Sequence, residues 1–276
     1  MATHGRILPY VGGKRRHKVR DVVRARLAAQ SFRGYFEPMC GGLAVAEAVA
    51  SRLPQALRFW DADADLIALY RQMQRDPGEL LAQAWTITAA LTSKEDFYAL
   101  REAWNARRGD VDVRAIALQF VLRWATFNGM FRRNKQGALN VPPRNNLVDL
   151  RLPALTTLTH FLRFAGRAEF AVGDITSPAS VDVDGWLIYV DPPYDNSFAA
   201  YTAQGFSVAD QVALLETCNR WRAGGATVII TQANTERMRE LYLRHGWYLT
   251  YVNATRSIAC NGDRTPAKEF IATKDP

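Results

Sequence analysis

Short apolar runs alternate along this chain with longer stretches in which apolar residues recur at helical spacing. The runs are brief and rich in aromatic and β-branched residues, so they predict strands. Strand–helix alternation is typical of a parallel sheet covered by helices, which predicts an α/β fold. The predicted strands are 35–36, 57–60, 169–172, 186–190, 226–230, 247–252 and 269–272, and the helical stretches include 14–29, 45–52, 66–75 and 208–221.

The last two apolar runs have only a turn region between them, Cys260-Asn261-Gly262-Asp263. Strands that are joined by a turn, without a helical crossover, pair in antiparallel fashion. We therefore predict an antiparallel hairpin at one edge of the sheet.

The stretch 75–165 interrupts the alternation. It is mostly helical in pattern, rich in arginine and aromatic residues, and it leads into a polar loop at 132–137. Aromatic residues at helical spacing mostly belong to a core, whereas the charges of the loop stand on a segment with few apolar neighbours. We predict a mostly helical insertion with a basic loop at 75–165, carried by a main domain formed from 1–74 and 166–276.

Composition indicates which kind of binding partner and which cellular compartment to expect. The 276 residues are 48% apolar, enough for one large domain with an insertion. The net charge of +8 favours a polyanionic partner, nucleic acid before a membrane. Three scattered cysteines without a CxxC pair argue against a disulfide framework or a zinc site. With no secretory apolar region and no apolar run near the roughly 18 residues of a membrane span, we expect a cytoplasmic protein without a metal.

The most informative motif is Asp191-Pro192-Pro193-Tyr194, which follows the predicted strand 186–190. Two prolines cannot continue a central strand, because each lacks a backbone N–H. The strand must end there and present an acid, rigid carbonyls and an aromatic face at its carboxyl edge, where open α/β sheets bind ligands. An exocyclic amine needs such acceptors and such a ring; a plain strand-terminating turn is the alternative.

Other strand ends carry further candidate groups. Glu37-Pro38-Met39-Cys40-Gly41-Gly42 precedes a helix, so its backbone N–H groups can face a ligand. It is not the GxGxxG fingerprint, and NAD is not implied. Asp61 ends the second strand, where an acid can accept hydrogen bonds from both hydroxyls of a ribose or act as the N-cap of the next helix. Asp174, after the third strand, lies beside an adenine ring or caps a turn.

Together these motifs resemble the S-adenosylmethionine-dependent DNA amino-methyltransferases, and most of all the Dam-like DNA adenine N6-methyltransferase family. The resemblance covers nearly the whole chain, in the family's order. The matching segments are Tyr10-Val11-Gly12-Gly13-Lys14, Glu37-Pro38-x-x-Gly41, Asp61-x-Asp63-x-Asp65-Leu66-Ile67, Asn128-Gly129-x-x-Arg132-x-Asn134, Gly137-x-x-Asn140-Val141-Pro142, Asp191-Pro192-Pro193-Tyr194, and Arg256-Ser257-Ile258 with Asn261-Gly262 and Glu269.

The resemblance implies a Rossmann-like methyltransferase sheet, S-adenosylmethionine as cofactor, and double-stranded DNA as substrate, with the target adenine rotated out of the duplex. It implies that the catalytic residues are Asp191, Pro192, Pro193 and Tyr194, and that Asp191, the Pro192 carbonyl and Tyr194 hold the flipped base. The cofactor pocket would be lined by Tyr10, Lys14, Glu37, Pro38, Gly41, Asp61, Asp174 and Asp191. The residues facing DNA would be Phe127, Asn128, Met130, Arg132, Arg133, Asn134, Lys135 and Pro142.

Four departures from the family pattern matter. Leu43 replaces a second glycine of the cofactor loop, Tyr10 a common tryptophan, and Asp63 a common asparagine. Pro9 stands where GATC-specific members often have lysine; a lysine can read a guanine edge and a proline cannot. Arg133 adds a charge that is suited to a phosphate rather than to a base. Because fewer contacts to bases and more to the DNA backbone give less sequence discrimination, we expect a target that is looser than GATC.

Three alternatives are weighed against this interpretation. A cytosine N4-methyltransferase would use the same fold but more often has serine before Pro-Pro-Tyr, which favours adenine here. An RNA or protein amide methyltransferase usually has asparagine in place of Asp191. A catalytically silent DNA-binding relative need not keep Lys14, Asp61 and Asp191 together, as this chain does.

Overall fold

The computed structural model describes residues 7–10, 12, 14, 18–194, 206–254 and 267–274. They form a seven-stranded sheet in the order β3-β2-β1-β4-β5-β7-β6. The strands are β1 (Gly34–Glu37), β2 (Ala56–Asp61), β3 (Ala168–Val172), β4 (Trp186–Val190), β5 (Thr227–Ala233), β6 (Tyr248–Ala254) and β7 (Ala267–Thr273). The α-helices are α1 (Val19–Ala29), α2 (Ala44–Val49), α3 (Ala64–Arg75), α4 (Pro77–Ala89), α5 (Lys94–Ala106), α6 (Val113–Ala125), α7 (Leu155–Ala165), α8 (Val208–Ala223) and α9 (Glu236–Arg244).

The centre of the sheet is parallel. β1 pairs in parallel with β2 on one side and with β4 on the other, and β4 pairs in parallel with β5. The strand order therefore reverses between β1 and β4, and an open α/β sheet has its ligand crevice at such a point, outside the carboxyl ends of the strands. Glu37 ends β1, Asp61 ends β2 and Asp191 follows β4, so the sheet topology brings three acidic residues to this edge.

The other edge of the sheet is antiparallel. β7 lies between β5 and β6 and pairs in antiparallel fashion with both. This confirms the predicted α/β fold with a C-terminal hairpin. The turn predicted at 260–263 and the matching segment 256–258 lie outside the described residues. The pairing places Glu269 of β7 opposite Ala233, the last residue of β5.

Residues from both faces of the central strands form the core of the sheet. Gly34 of β1 lies opposite Trp186 of β4, and a Cβ on Gly34 would lie 2.6 Å from the Trp186 ring. Only glycine leaves room for that indole. Phe36 packs edge-on against Trp60, with ring centroids 4.9 Å apart, and against Trp221 of α8. Aromatic packing of this kind stabilises the strands that carry the candidate acids.

The chain divides into two compact units. One comprises 12–62, 171–199 and 204–276 and contains β1, β2 and β4–β7. The other comprises 1–11, 63–170 and 200–203 and contains α3–α7. In this helical unit α6 is buried around nearly its whole circumference, which is typical of a central helix. The unit takes in α3 as well as the predicted insertion 75–165.

Two local expectations are wrong. The first helix begins at Val19, so Lys14 lies before it instead of inside it. Asp61 is not the N-cap of α3. That position belongs to Asp63, whose carboxylate accepts hydrogen bonds from the backbone N–H groups of Asp65 and Leu66. Since the capping role is taken by Asp63, the carboxylate of Asp61 has another use.

Among the described residues, no helix combines the length and the apolar character needed to cross a bilayer.

Candidate active site

The tetrapeptide that follows β4 is held by its acid. β4 is buried along its whole length, and the two prolines end it where predicted. Asp191 Oδ1 accepts a hydrogen bond from Thr231 Oγ1 at 2.8 Å, and the Lys14 ammonium lies 3.1 Å from Oδ1 and 3.2 Å from Oδ2. A carboxylate offers about four lone-pair sites. The contacts described here take three of them, which leaves room for one more donor.

Lys14 is nearly buried, with 7% of its surface exposed. Besides Asp191 it donates to the Gly12 carbonyl at 3.0 Å and lies 4.5 Å from the centroid of the Tyr194 ring. A buried ammonium is costly unless it is paired, and these three partners compensate it. Lys14 therefore connects the acid and the aromatic ring of the tetrapeptide.

Tyr194 is held from both ends. Its ring lies under the Lys14 ammonium, and its hydroxyl donates to Glu269 Oε2 at 2.7 Å. Burial, and then the negative charges of Asp191 and Glu269, raise the pKa of Tyr194 well above its usual value, so the phenol stays protonated and remains a donor. Gln211 of α8 donates to the Pro193 carbonyl at 3.1 Å. These contacts fix the positions of Pro193 and Tyr194 within the tetrapeptide.

A second hydrogen-bonded chain lies behind Asp191. Thr231 Oγ1 donates to Asp191, so the hydroxyl of Tyr189, 3.1 Å from Thr231 Oγ1, is the donor to Thr231. Tyr189 is buried, which together with the charge of Asp191 raises its pKa well above the usual value. Both residues belong to central strands, β4 and β5, and so they hold the acid rigidly.

The glycine turn after β1 closes onto Asp61. Asp61 Oδ2 accepts a hydrogen bond from the Gly41 backbone N–H at 2.9 Å, and Cys40 N donates to the Trp60 carbonyl at 2.8 Å. Leu43 adopts a left-handed conformation, with φ 55°, at a cost of about 1–2 kcal/mol for a residue with a side chain. Leu43 is buried, and its packing offsets that cost.

Glu37 is a buried acid at the end of β1. Its Oε1 accepts hydrogen bonds from the Tyr35 hydroxyl at 2.6 Å and from the Ala46 N–H at 3.0 Å. Burial raises the pKa of Glu37 to about 8; the two hydrogen bonds lower it, and the charge of Asp191 raises it further. Glu37 is therefore protonated at neutral pH and ties β1 to the start of α2.

Asp174 caps a turn. Its Oδ1 accepts hydrogen bonds from the backbone N–H and the hydroxyl of Thr176, both at 2.8 Å. Of the two alternatives considered for Asp174, the structure shows this one, and a role beside an adenine ring stays a prediction. Among the described residues no cluster of three or more histidine, cysteine or acidic side chains is arranged to hold a metal ion.

The residues predicted to face DNA belong to the helical unit, and the side chains of most of them are exposed to solvent. Met130 and Asn134 are half-buried, and Asn134 Oδ1 accepts from the N–H groups of Gln136 and Ala138. Arg133 is half-buried as well, with its guanidinium directed at Asp63 and Asp65. The exposed side chains are Phe127, Asn128, Arg132, Lys135 and Pro142.

Comparison with known proteins identifies the family. The sequence profile of the D12 class N6 adenine-specific DNA methyltransferases matches residues 10–258. The chain belongs to this family.

Curated relatives agree with that assignment. The DNA N-6-adenine-methyltransferase of Escherichia phage P1 is 31% identical over 74% of this chain, and the match spans only 27% of that longer protein. The Type II methyltransferase M1.LlaDCHI of Lactococcus lactis subsp. cremoris is 29% identical, over 90% of this chain and 88% of its own length. The DNA adenine methylase of Vibrio cholerae is 30% identical, over 78% and 79%.

For a D12 class methyltransferase, two of the departures now have a structural account. Leu43 takes the left-handed conformation that a glycine would take without strain, so the turn keeps its shape. Pro9 is buried against Gly129: with φ +69° at Gly129, a Cβ there would lie 2.4 Å from the Pro9 Cβ. Pro9 thus packs inside the helical unit, which also contains Tyr10.

Several residues of this site escaped the sequence analysis. Thr231 and Gln211 donate to the tetrapeptide and Tyr189 donates to Thr231, yet none of the three belongs to a motif. The one available signal was Thr231-Gln232, a polar pair at the carboxyl end of an apolar strand. Glu269 was noted only as part of the C-terminal signature, and its partner Tyr194 could not be inferred, because they are 75 residues apart.

Proposed function

We propose that this protein transfers a methyl group from S-adenosylmethionine to N6 of adenine in double-stranded DNA, with the target base rotated out of the helix. The observation that supports it most is the state of Asp191. Its carboxylate is held by Lys14 and Thr231 and keeps one acceptor site, beside the fixed ring of Tyr194. An exocyclic amine on a stacked base matches this arrangement of acceptor and ring.

The residues at the carboxyl edge suit S-adenosylmethionine by the chemistry of their donors and acceptors. Asp61 presents a carboxylate next to the glycine turn, which is suited to the hydroxyls of a ribose. Lys14, Glu37, Pro38, Gly41 and Asp191 belong to the same compact unit. When bound, the cofactor supplies a methyl group that is electrophilic because it is attached to a sulfonium.

The protein's own residues supply position. An extruded adenine would stack on Tyr194, and its N6 would donate to Asp191 and to the Pro192 carbonyl, which favours a tetrahedral nitrogen with a directed lone pair. N6 would gain the methyl group as the bond from that group to sulfur breaks and leaves a neutral thioether, and the proton that N6 loses would pass to solvent. Since no protein atom is methylated, catalysis rests on orientation and exclusion of water.

Extrusion needs contacts with the rest of the duplex. Unpairing a base costs a few kcal/mol, which Arg132 and Lys135 would offset by holding phosphates. Phe127 is 37% exposed, while Met130 is half-buried. We therefore assign Phe127, rather than Met130, as the wedge that fills the gap in the base stack.

The product of the reaction tests the proposal. Duplex DNA incubated with the protein and S-adenosylmethionine is digested to nucleosides and analysed by mass spectrometry. N6-methyladenine is the expected product. N4-methylcytosine as the main product would overturn the assignment to adenine, and cofactor binding without any product would favour a silent DNA-binding relative.

Asp61→Ala should weaken cofactor binding. The change removes the proposed ribose anchor and the acceptor for the Gly41 N–H, and hydrogen bonds to charged groups contribute about 1.5–3 kcal/mol each. We expect the Kd for S-adenosylmethionine to rise about 10–100-fold, measured by isothermal titration calorimetry. Asp182→Ala, which removes an exposed acid on the same unit, is the control. An unchanged Kd in Asp61→Ala would leave Asp61 only its role in the turn.

The target should be looser than GATC. Pro9 is buried against Gly129 and presents no donor to a base, while each bidentate base contact contributes about 1–3 kcal/mol of discrimination. We expect plasmid DNA to be methylated at many adenines outside GATC, with narrower selectivity as salt is raised. Sequencing that detects N6-methyladenine measures this; methylation confined to one site of four or more defined bases contradicts it.

A further inference from the structure

Arg133 belongs to a network of four charged side chains inside the helical unit. One nitrogen of its guanidinium lies 2.8 Å from Asp63 Oδ1 and 2.8 Å from Asp65 Oδ2. Arg123 donates to the second oxygen of Asp63 at 3.1 Å, and the Gly109 N–H donates to Asp65 at 3.1 Å. The network joins the start of α3 to the basic loop, because Asp63 is also the N-cap of that helix.

Aromatic rings enclose the two guanidinium groups. Arg123 lies 4.1 Å from the centroid of Phe131, and Arg133 lies 5.5 Å from that of Trp104. Phe131 and Trp104 pack edge to face, with centroids 5.1 Å apart. Arg123 is 1% exposed, so its charge needs Asp63 as a partner. Burial alone would raise the pKa of Asp63, but Arg123 and Arg133 hold it below the usual value.

The backbone of the basic loop is tied down at the same place. Arg133 pairs with Leu139 across the loop in an antiparallel bridge. The Asn105 side chain accepts from the Leu139 N–H at 2.8 Å and donates to its carbonyl at 3.3 Å. Arg132 and Lys135 on this loop are exposed, whereas Arg133 points inward. Adjacent residues of an extended segment point to opposite sides, so the inward direction of Arg133 sets the outward direction of Arg132.

We propose that Arg133 is a positioning residue for target recognition: it anchors the basic loop to Asp63 and Asp65, so that Arg132 and Lys135 face the DNA. This rests on the proposed function, and it replaces the expectation that Arg133 itself meets a phosphate. The carboxylates of Asp63 and Asp65 already compensate the charge of Arg133 through one guanidinium nitrogen, so a phosphate would gain less from Arg133 than from the exposed Arg132. As an anchor, Arg133 affects DNA binding by fixing the position of the basic loop. This role needs Asp63 and Asp65 as much as Arg133 itself.

Salt dependence of DNA binding separates the two roles. Binding of a duplex by fluorescence anisotropy is measured from low to moderate salt for wild type, Arg133→Met, Asp65→Asn and the double variant. A residue that meets a phosphate reduces the slope of log K against log salt by about 1 when it is removed. Lys135→Met is the control in which this loss of slope is expected.

For an anchor, we expect Arg133→Met to weaken binding about 3–30-fold with an unchanged slope, Asp65→Asn to weaken it similarly, and the double variant to equal either single one. Arg133→Lys should bind with an affinity between those of wild type and Arg133→Met, because one guanidinium nitrogen contacts both carboxylates and an ammonium on a shorter side chain can replace it only in part. A slope reduced by about 1 in Arg133→Met with no effect of Asp65→Asn would overturn the proposal alone. A wild-type protein that binds no duplex would overturn the proposed function with it.

Discussion

Asp191→Ala should lower kcat by at least about 10²–10³-fold, since removing one preorganised group at a reacting centre commonly costs that much. Asp191 is the residue on which Lys14 and Thr231 converge, and its free acceptor site is the one proposed for the amine. Affinity for duplex DNA should stay within about twofold, because phosphate contacts supply it. Single-turnover methylation and fluorescence anisotropy measure the two quantities on the same preparation.

The alanine variant also leaves the Lys14 ammonium buried without its carboxylate, which by itself lowers stability. Asp191→Asn is therefore the second variant: it keeps one acceptor oxygen and should still lose most activity. Thr231→Val removes the donor to Asp191, together with the acceptor of the Tyr189 hydroxyl, and should lower kcat by about tenfold, the value of one hydrogen bond. A loss of DNA affinity that matches the loss of turnover, in a protein that melts like wild type, would contradict a catalytic role for Asp191.

Glu37→Gln should flatten the dependence of folding stability on pH between about 5 and 8. The pKa of Glu37 is about 8 in the folded protein, against an ordinary value of 4.5. In that window the unfolded state releases a proton that the folded state keeps, so the free energy of unfolding falls as pH rises, by up to about 1.4 kcal/mol per pH unit. Above pH 8 Glu37 is ionised in both the folded and the unfolded state, so it no longer makes the free energy of unfolding depend on pH.

Glutamine is the matched replacement because its amide oxygen can accept from the Tyr35 hydroxyl and the Ala46 N–H as Glu37 does. Urea unfolding followed by tryptophan fluorescence at several pH values measures the slope. Asp63 has the opposite effect on the pH dependence of stability, because its pKa is lowered in the folded protein. Its contribution is lost at lower pH than this window, where the free energy of unfolding falls as the carboxylate is protonated. Glu216→Gln, at an exposed position of α8, is the control. A slope in Glu37→Gln equal to that of wild type would show that Glu37 is ionised in the folded protein.

The positions of the two candidate acids could be predicted from the sequence. Asp61 and Asp191 each follow a short apolar run, and in a parallel sheet every such residue comes to the same edge. The proline pair after Val190 made the end of that strand unambiguous, since proline cannot donate to a central ladder. The antiparallel hairpin could be predicted too, because strand pairing depends on local patterns and on connections of restricted length.

What only the tertiary structure decided is which groups hold those acids and in which direction each charge points. Glu269 reaches Tyr194 because β7 lies between β5 and β6 in the sheet. The alternation of apolar and polar residues predicts a strand, but it does not predict the order of the strands in the sheet. The sequence also placed Arg132 and Arg133 together as basic residues of one loop. Only packing separated them, since Trp104 of α5 and the acids Asp63 and Asp65 at the start of α3 contact Arg133 from two other segments. Local sequence sets the position of a charge along the chain, but its partners come from distant segments that folding brings together.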